Sequence, residues 1–438
     1  MTEPGVTSAR VYLWGTHIGS VTWDQTRQLG HFTYNPEFRQ SGLEVAPLTM
    51  PLAQRSFSFP ELNTNVFKGL PGFLADSLPD KFGNAVIAAW LARQGRHDHD
   101  LTPIERLRLT GTRGMGALEY DPALVTSPDD SVQPLDIGGL VTLINRILAS
   151  PDADPVVDDR DSQTLDTLLQ VGISADGARA KAVIAWDPTT KEVWPGQRKA
   201  PPGCGYWLLK FDGVTGNRDR EADDPQGYGL VEYAYHLMAL QAGIHMNECR
   251  LLAENGRRHF VTRRFDRMPD GQKIHRQSLC ALGHVDFDAA GSYSYEQVME
   301  IIQKLELPPD ALKEQFRRMA FNVLVRNHDD HPKNIAFLMN TRGVWSLSPA
   351  YDLTFAYNPH GQWTNRHQMS LNGKRDNFVY DDLCAVARRF SLEDSQSTAI
   401  IQQVADAVTQ WPQFAQRAGV DRDTQDSIGK HLRLGIVT

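Results

Sequence analysis

The chain has 438 residues, with 45 Lys and Arg against 53 Asp and Glu, a formal net charge of -8 at pH 7, and 41% hydrophobic residues. These values are ordinary for a globular protein and exclude a disordered or fibrous chain, and the net charge gives no overall electrostatic case for direct nucleic-acid binding. The N-terminus lacks the basic and apolar pattern of a signal peptide, and no apolar run approaches about 18 residues, so we expect a cytoplasmic protein without a membrane partner.

The first third of the chain contains signals for both strands and helices. Alternation of apolar and polar residues over 11–23, with a turn at His17-Ile18-Gly19, predicts a β-hairpin. Apolar residues at helical spacing after Pro79-Asp80 predict a helix over 83–94. The segment 127–136 is polar and contains prolines, which is typical of a connection between sub-domains.

The rest of the chain changes from short strands to helices. Strand patterns occur at 182–185 and 207–210, and again at 249–254 and 258–266. Helical spacing predicts helices over 229–243, 296–305, 309–327 and 397–411. A β-rich middle followed by a helical C-terminal half predicts an α+β, two-lobed architecture with a cleft between the lobes.

The most informative segment is 321–357, where a predicted helix is followed by the polar loop HDDHPKN and by two apolar strands. Phosphoryl transfer needs a carboxylate facing the acceptor hydroxyl, and an Asn and a second Asp that hold Mg²⁺. Asn334 lies five positions after Asp329, as in the catalytic loop of protein kinases, and the second strand is expected to end at Asp352. The ordered set therefore predicts a catalytic base followed by two metal ligands.

The histidines of this loop allow a second interpretation. His328 and His331 flank two aspartates, which also occurs in zinc or di-metal hydrolases. Zinc sites need three or four protein ligands, and no further His or Glu cluster with ligand spacing is present in the sequence. We therefore prefer to interpret both as loop histidines that bind no metal.

Two lysines upstream are candidates for binding phosphate. Residues 174–181 form a small-residue loop whose backbone N–H groups suit phosphate oxygens, and Lys181 begins the next strand. Lys210 ends a strand, as the phosphate-binding lysine of kinases does, and Glu232 on the following helix is its candidate partner. Residues 260–266 would then be the hinge whose backbone binds adenine.

Seven segments, taken in order and over nearly the whole chain, resemble the HipA family of toxin/antitoxin serine/threonine kinases. They are LADSLPD at 74–80, GMGALEY at 114–120, SxxGARAK at 174–181, LLKF at 208–211, RRFDR at 263–267, HPKN at 331–334 and PAYDL at 349–353. The resemblance implies an α+β, two-lobed kinase-like fold. Its expected parts are a small N-terminal HipA-type sub-domain (1–125), a nucleotide-binding lobe with β-strands (126–262) and an all-helical C-terminal lobe with the catalytic loop (263–438).

The resemblance also implies a role for each matching residue around ATP and Mg²⁺. Asp329 would be the catalytic base, Asn334 and Asp352 would bind Mg²⁺, and Ser174 would be the inhibitory autophosphorylation site. The phosphates would be covered by Asp176, Gly177, Ala178, Arg179, Ala180 and Lys181, and Lys210 would also contact them. The adenine pocket would be lined by Arg263, Arg264 and Phe265, and the nucleotide would be flanked by His331 and Tyr351.

The activity implied is that of a growth-inhibiting toxin that phosphorylates a translation factor such as an aminoacyl-tRNA synthetase. The implied partners are a protein substrate, a helix-turn-helix antitoxin of the HipB type and, through it, operator DNA. A different class of function is a kinase-like binding protein without catalysis that complexes an antitoxin regulator. The presence of Asp329, Asn334, Asp352 and Lys210 favours the active kinase, because an inactive scaffold would tolerate their loss.

Overall fold

The structure of the chain is a computed structural model that describes residues 8–125, 133–149, 161–173, 179–197, 199–215 and 227–437. The strands are β1 Ser8–Leu13, β2 Thr16–Asp24, β3 Leu29–Tyr34, β4 Ser56–Phe57, β5 Leu118–Asp121, β6 Lys181–Trp186, β7 Val193–Pro195, β8 Gly205–Lys210, β9 Cys249–Glu254, β10 Arg257–Arg263, β11 His275–Ser278, β12 Ala336–Met339 and β13 Trp345–Leu347.

The α-helices follow the same chain-order numbering. They are α1 Thr64–Phe67, α2 Gly72–Ala75, α3 Lys81–Ala92, α4 Pro103–Thr110, α5 Ile137–Ala149, α6 Ser162–Gly172, α7 Tyr228–Gln241, α8 Leu279–Gly283, α9 Tyr295–Lys304, α10 Pro309–Leu324, α11 Tyr380–Arg389, α12 Asp394–Thr409, α13 Trp411–Ala418 and α14 Arg422–Gly429. Within the described ranges, none of these helices has both the length and the apolar character that crossing a membrane requires.

The described residues form two compact units. The first unit takes residues up to 226 together with 252–277 and 339–344, and the second takes 227–251, 278–338 and 345–438. Each unit therefore contains segments from distant parts of the chain. The three predicted domain ranges divide the chain more finely than these units do, and they stay a prediction.

The first unit begins with a five-stranded sheet of order β4-β3-β2-β1-β5. A hairpin does form over 11–23, because β1 and β2 pair in antiparallel register from Ser8 opposite Thr22 to Leu13 opposite Thr16. The turn predicted at His17-Ile18-Gly19 is wrong: these residues lie within β2, and the chain turns at Trp14-Gly15, where both residues have positive φ values of 51° and 77°. The helix predicted after Pro79-Asp80 is α3, whose first turn is capped by Asp80, the carboxylate of which accepts a hydrogen bond from the Gly83 N–H.

The second sheet of the first unit has the order β7-β6-β8-β10-β9. All six residues of β6 are buried, and Ala182, Ile184 and Trp186 on one face of the strand share a continuous apolar core with helices α3, α5 and α6. The antiparallel pairing of β6 with β8 places Lys181 directly opposite Lys210, and β10 pairs with the other side of β8. The sheet thus brings both predicted phosphate-binding lysines together.

The second unit is helical except for short strands, and β12 and β13 are hydrogen-bonded neighbours. The range 263–438, predicted to be all-helical, therefore also contains the strands β11, β12 and β13. Its core is built from α7, α10, α12 and α13. The predicted apolar stripe of Ile400, Val404, Val408 and Trp411 is buried. The predicted single helix over 397–411 is interrupted, however: α12 ends at Thr409 and Trp411 begins α13, with a proline at the following position.

Candidate active site

The catalytic loop begins where α10 ends. The sequence predicts a helix to residue 327, but α10 ends at Leu324, and Arg326 takes a left-handed conformation with φ 59°. The Asn327 N–H then donates to the Asn322 carbonyl at 3.0 Å, which turns the chain out of the helix. A short 3₁₀ turn, Pro332–Asn334, closes the loop.

The side chains of Asp329 and Asn334 are oriented by specific hydrogen bonds. The Asn334 Nδ2 donates to the Asp329 carbonyl oxygen at 2.9 Å, so its Oδ1 points away from that carbonyl and is available as a ligand. The Asp329 carboxylate is 34% exposed, and its Oδ1 accepts a hydrogen bond from the Trp363 Nε1 at 2.8 Å. The His331 Nε2 lies 3.7 Å from the same oxygen.

Asp352 reaches the site by a route that the sequence does not predict. The strand expected to end at this residue, β13, ends at Leu347. Asp352 instead follows an irregular segment and has a left-handed backbone with φ 53°. Asp adopts this conformation at a cost that surrounding structure must offset, and such positions cluster at functional sites. The neighbouring Tyr351 hydroxyl donates to the Lys333 carbonyl at 2.6 Å, which joins this segment to the catalytic loop.

Four of the predicted residues line one small pocket of about 20 Å³. They are His331, Asn334, Tyr351 and Asp352, and the pocket is also lined by Gln315, Arg318, Asn322, Asn327, Asp330, Ile335, Ala350, Leu353 and Met369. Two lining acceptors, the Gln315 Oε1 and the Asn327 Oδ1, are buried without a hydrogen-bond partner in the structure. Carboxylate and amide oxygens are the ligands that a hard cation prefers, so Asp352 and Asn334 fit Mg²⁺.

Below the loop, Asp330 is the centre of a buried hydrogen-bond network. Its carboxylate accepts from the Tyr295 hydroxyl at 2.6 Å and from the Gln368 N–H at 2.7 Å, and the His367 Nδ1 lies 2.7 Å away. Asn327 donates to Asn322, which in turn donates to Tyr295. Burial, followed by the charge of Asp330, raises the pKa of Tyr295, so its hydroxyl keeps the proton that it donates.

His328 is fully buried, and its Nδ1 lies 3.0 Å from the Thr364 carbonyl. Burial, helped by the neighbouring His367 ring at 4.2 Å between centroids, lowers the pKa of His328 to about 2. The imidazole is therefore neutral and contributes to the structure of the loop. Within the described ranges, no group of three or more His, Cys, Asp or Glu side chains is placed to hold a metal ion.

In the first unit, the two predicted phosphate-binding lysines share one face of the second sheet. Lys181 and Lys210 are both buried, and residues directly opposite in an antiparallel pair have their Cβ atoms about 5 Å apart. Lys210 Nζ also lies 5.7 Å from the centre of the Phe260 ring. The two lysines therefore lie on neighbouring strands of one sheet, and their binding of phosphate stays a prediction.

The residues predicted to line the adenine pocket have different environments. Arg263 is exposed, and Phe265 is half-buried. The Arg264 guanidinium is buried and binds both oxygens of Asp266, at 2.8 and 2.7 Å, and its backbone N–H donates to the Tyr206 carbonyl. The Arg264 side chain therefore serves the internal structure of the first unit. A contact of these three residues with adenine stays a prediction.

Some predicted site residues lie outside the described ranges. They are Ser174, Asp176, Gly177 and Ala178. Of the same loop, Arg179 is half-buried and Ala180 is buried, and the Phe211 N–H donates to the Ala180 carbonyl at 3.0 Å. Lys210 belongs to the first unit and Glu232 to the second, so their pairing also stays a prediction.

Three further residues at the site, Trp363, Asn327 and Arg318, are not predicted from the sequence. Asn327 directly precedes the loop and could have been found by extending the polar run by one position. Arg318 is on the interior side of α10, where an arginine in an apolar stripe is itself a signal, and its guanidinium donates to the Ser348 carbonyl. Trp363 lies in a segment without helix or strand periodicity, so no local pattern could have placed it beside Asp329.

The chain is similar to known proteins of one family. Residues 173–411 match the model of the HipA-like C-terminal domain, and residues 9–121 match the HipA N-terminal domain. A protein named "Putative kinase Y4mE" from Sinorhizobium fredii is 25% identical over 363 residues, which cover 78% of this chain and 76% of that protein.

Among solved structures, a similar one is that of HipA, HipB and their operator DNA from the toxin-antitoxin system of Shewanella oneidensis MR-1. The match covers 97% of this chain and 94% of that chain, with a TM-score of 0.67 and 18% identity. It confirms the predicted α+β, two-lobed kinase-like fold. Because the C-terminal domain model covers more than half of the residues, the chain belongs to the HipA family, as the seven segments predict.

Proposed function

We propose that this protein is an ATP- and Mg²⁺-dependent serine/threonine protein kinase that acts as the toxin of a toxin/antitoxin system. The observation that carries the proposal is the joint arrangement of Asp329, Asn334 and Asp352. The Asn334 amide is fixed on the Asp329 backbone, and Asn334 and Asp352 line one pocket. Family membership and the kinase-like fold support the same activity.

In this proposal each side chain of the second unit has a defined task. The Asp329 carboxylate orients the acceptor hydroxyl and takes its proton. The Asn334 Oδ1 and the Asp352 carboxylate would hold Mg²⁺, which supplies positive charge against the phosphate oxygens. In the first unit, Lys181 and Lys210 bind phosphate oxygens, and the residues 174–180 cover them. His331 and Tyr351 flank the nucleotide.

The biological part of the proposal comes from the relatives. The Shewanella HipA structure contains HipB and operator DNA, so we propose that a helix-turn-helix antitoxin of the HipB type binds this chain and connects it to operator DNA. We propose a translation factor, such as an aminoacyl-tRNA synthetase, as the protein substrate. We also propose that Ser174 is autophosphorylated and that the phosphate reduces ATP binding by like-charge repulsion.

The test is phosphoryl transfer from radiolabelled ATP with Mg²⁺, measured for the wild type, Asp329→Ala and Asp310→Ala. Asp310 is a matched control, because its side chain is 90% exposed at the start of α10 and the variant loses the same charge. We expect Asp329→Ala to lose transfer by at least about 100-fold while its melting temperature is unchanged, and Asp310→Ala to keep wild-type activity. Mass spectrometry of the same samples should find phosphate on Ser174 only in the active proteins.

A folded Asp329→Ala protein that retains wild-type transfer would refute the assignment of the base. The alternative, a kinase-like protein that only complexes an antitoxin regulator, predicts no transfer for any of the three proteins. The pattern of the three activities therefore distinguishes catalysis from scaffolding.

A further inference from the structure

Three consecutive residues of the catalytic loop are contacted by one segment of the second unit, residues 363–368. His328 Nδ1 contacts the Thr364 carbonyl at 3.0 Å, and Asp329 Oδ1 accepts from the Trp363 indole at 2.8 Å. Asp330 accepts from the Gln368 N–H and contacts His367. Contacts with three consecutive loop residues hold the segment in one position against the loop.

The contacts on either side of Asp329 are buried, whereas Asp329 itself is partly exposed. Asp330 and His367 have side chains with no exposed surface, and Asp329 is 34% exposed. Buried charge-assisted hydrogen bonds are the stronger ones, so the Asp330 contacts hold the segment in place. The Gln368 side chain also donates to the Trp363 carbonyl, which ties the backbone of Trp363 to the residue that binds Asp330.

We propose that Trp363 is a positioning residue for the Asp329 carboxylate, and that Asp330 and His367 hold the segment that carries it. This inference rests on the proposed kinase activity. The Trp363 N–H engages Oδ1 and so restricts rotation of the carboxylate. Among the described residues, no hydrogen-bond donor contacts Oδ2, which is left for the acceptor hydroxyl. The hydroxyl proton passes to Oδ2 as its oxygen forms a bond with the γ-phosphorus and the bond to ADP breaks.

The experiment removes the indole N–H with little change of shape. Trp363→Phe and a protein with benzothienylalanine at 363, which replaces N–H by sulfur, are compared with the wild type in the radiolabelled transfer assay. Trp14→Phe is the matched control, because the Trp14 indole also donates at 2.8 Å, to the Lys273 carbonyl in the first unit. We expect both Trp363 proteins to lose about 10- to 100-fold in kcat, with the KM for ATP within about twofold of wild type.

A spectroscopic measurement tests the hydrogen bond without activity. Of the nine tryptophan indole signals in a ¹H–¹⁵N spectrum, the one that Trp363→Phe removes should move in Asp329→Ala and stay in place in Asp310→Ala. An immobile signal in Asp329→Ala would overturn the inference.

The kinetic outcomes separate this inference from the proposed function. Wild-type activity in both Trp363 proteins would leave the kinase proposal intact and refute the positioning role. A rise in kcat would also refute it, since Trp363 would then block the acceptor position. Absence of Asp329-dependent transfer in the wild type would refute the proposed function, and the positioning role with it.

Discussion

Single residues of the catalytic loop have roles that depend on one or two contacts each. Asp329 and Asp330 are adjacent and chemically identical, but Asp329 is partly exposed with a single strong hydrogen bond, whereas Asp330 is buried with three contacts. In the sequence, only the distance to Asn334 favours Asp329 over its neighbour as the base. No sequence pattern assigns a role to Asp330, and its buried partners identify it as structural.

Asp352 should be distinguished from Asp329 by its metal dependence. Asn has nearly the same size as Asp and also tolerates the left-handed backbone of position 352. The substitution Asp352→Asn therefore mainly removes one negative charge from the proposed Mg²⁺ site. We expect the Mg²⁺ concentration for half-maximal transfer to rise at least about 10-fold, with part of the activity recovered at high Mg²⁺. Asp329→Ala should not be recovered by Mg²⁺. Titration of both variants with Mg²⁺ checks this, and an unchanged midpoint for Asp352→Asn would contradict the ligand role.

At the scale of elements, two motifs that are far apart in sequence form one joint within the first unit. Asp266, which follows β10, accepts a hydrogen bond from the Gly116 N–H at 2.6 Å, just before β5. Arg267 donates to the Gly114 and Gly116 carbonyls. Burial alone would raise the pKa of Asp266, but the guanidinium groups of Arg264 and Arg267 outweigh it and lower that pKa. The RRFDR and GMGALEY segments therefore hold the two sheets of this unit together.

We expect Asp266→Asn to lower the stability of the protein by roughly 3 to 5 kcal/mol at pH 7, because it leaves two buried guanidinium groups without their anion. The contribution of a carboxylate whose pKa is lowered on folding is present above its unfolded pKa, about 3.9, and is lost as the pH falls toward the folded value. Melting temperatures of the wild type and the variant should therefore converge below about pH 4. Asp270→Asn, at an exposed turn, is the control. A difference in melting temperature between the wild type and Asp266→Asn that stays constant down to pH 3 would contradict the ion-pair explanation.

At the scale of the whole molecule, buried histidines in both units make stability depend on pH. Burial lowers the pKa of His236, of His275 and of His284 to about 4, and that of His328 to about 2. Because the unfolded chain has histidine pKa values near 6.5, it binds more protons than the folded protein below that pH. The folded state is therefore disfavoured as the medium becomes acidic.

Four such histidines should lower the free energy of unfolding by about 5 kcal/mol per pH unit between about pH 5.5 and 4.5. We expect the melting temperature to be nearly constant above pH 7 and to fall steeply below pH 6. His275→Gln should reduce this slope by about one quarter if it folds, and exposed His360→Gln is the matched control. The proton uptake on unfolding, measured by calorimetry in buffers of different ionisation enthalpy, gives a second readout. An uptake near zero at pH 5.5 would contradict the prediction.

The sequence by itself determined the fold class, the family and most of the elements of this protein, because these follow from short-range patterns. Hairpin alternation, helical spacing and the fixed distance from Asp329 to Asn334 can each be read within a few residues. The tertiary structure decided what depends on distant segments: the end of α10 before the loop, the left-handed Asp352 beyond β13, the joint at Asp266, and Trp363 on Asp329. The contact between Gly116 and Asp266 joins residues 150 positions apart, and the contact between Trp363 and Asp329 joins residues 34 positions apart. Local sequence propensities do not determine which distant residue a side chain contacts.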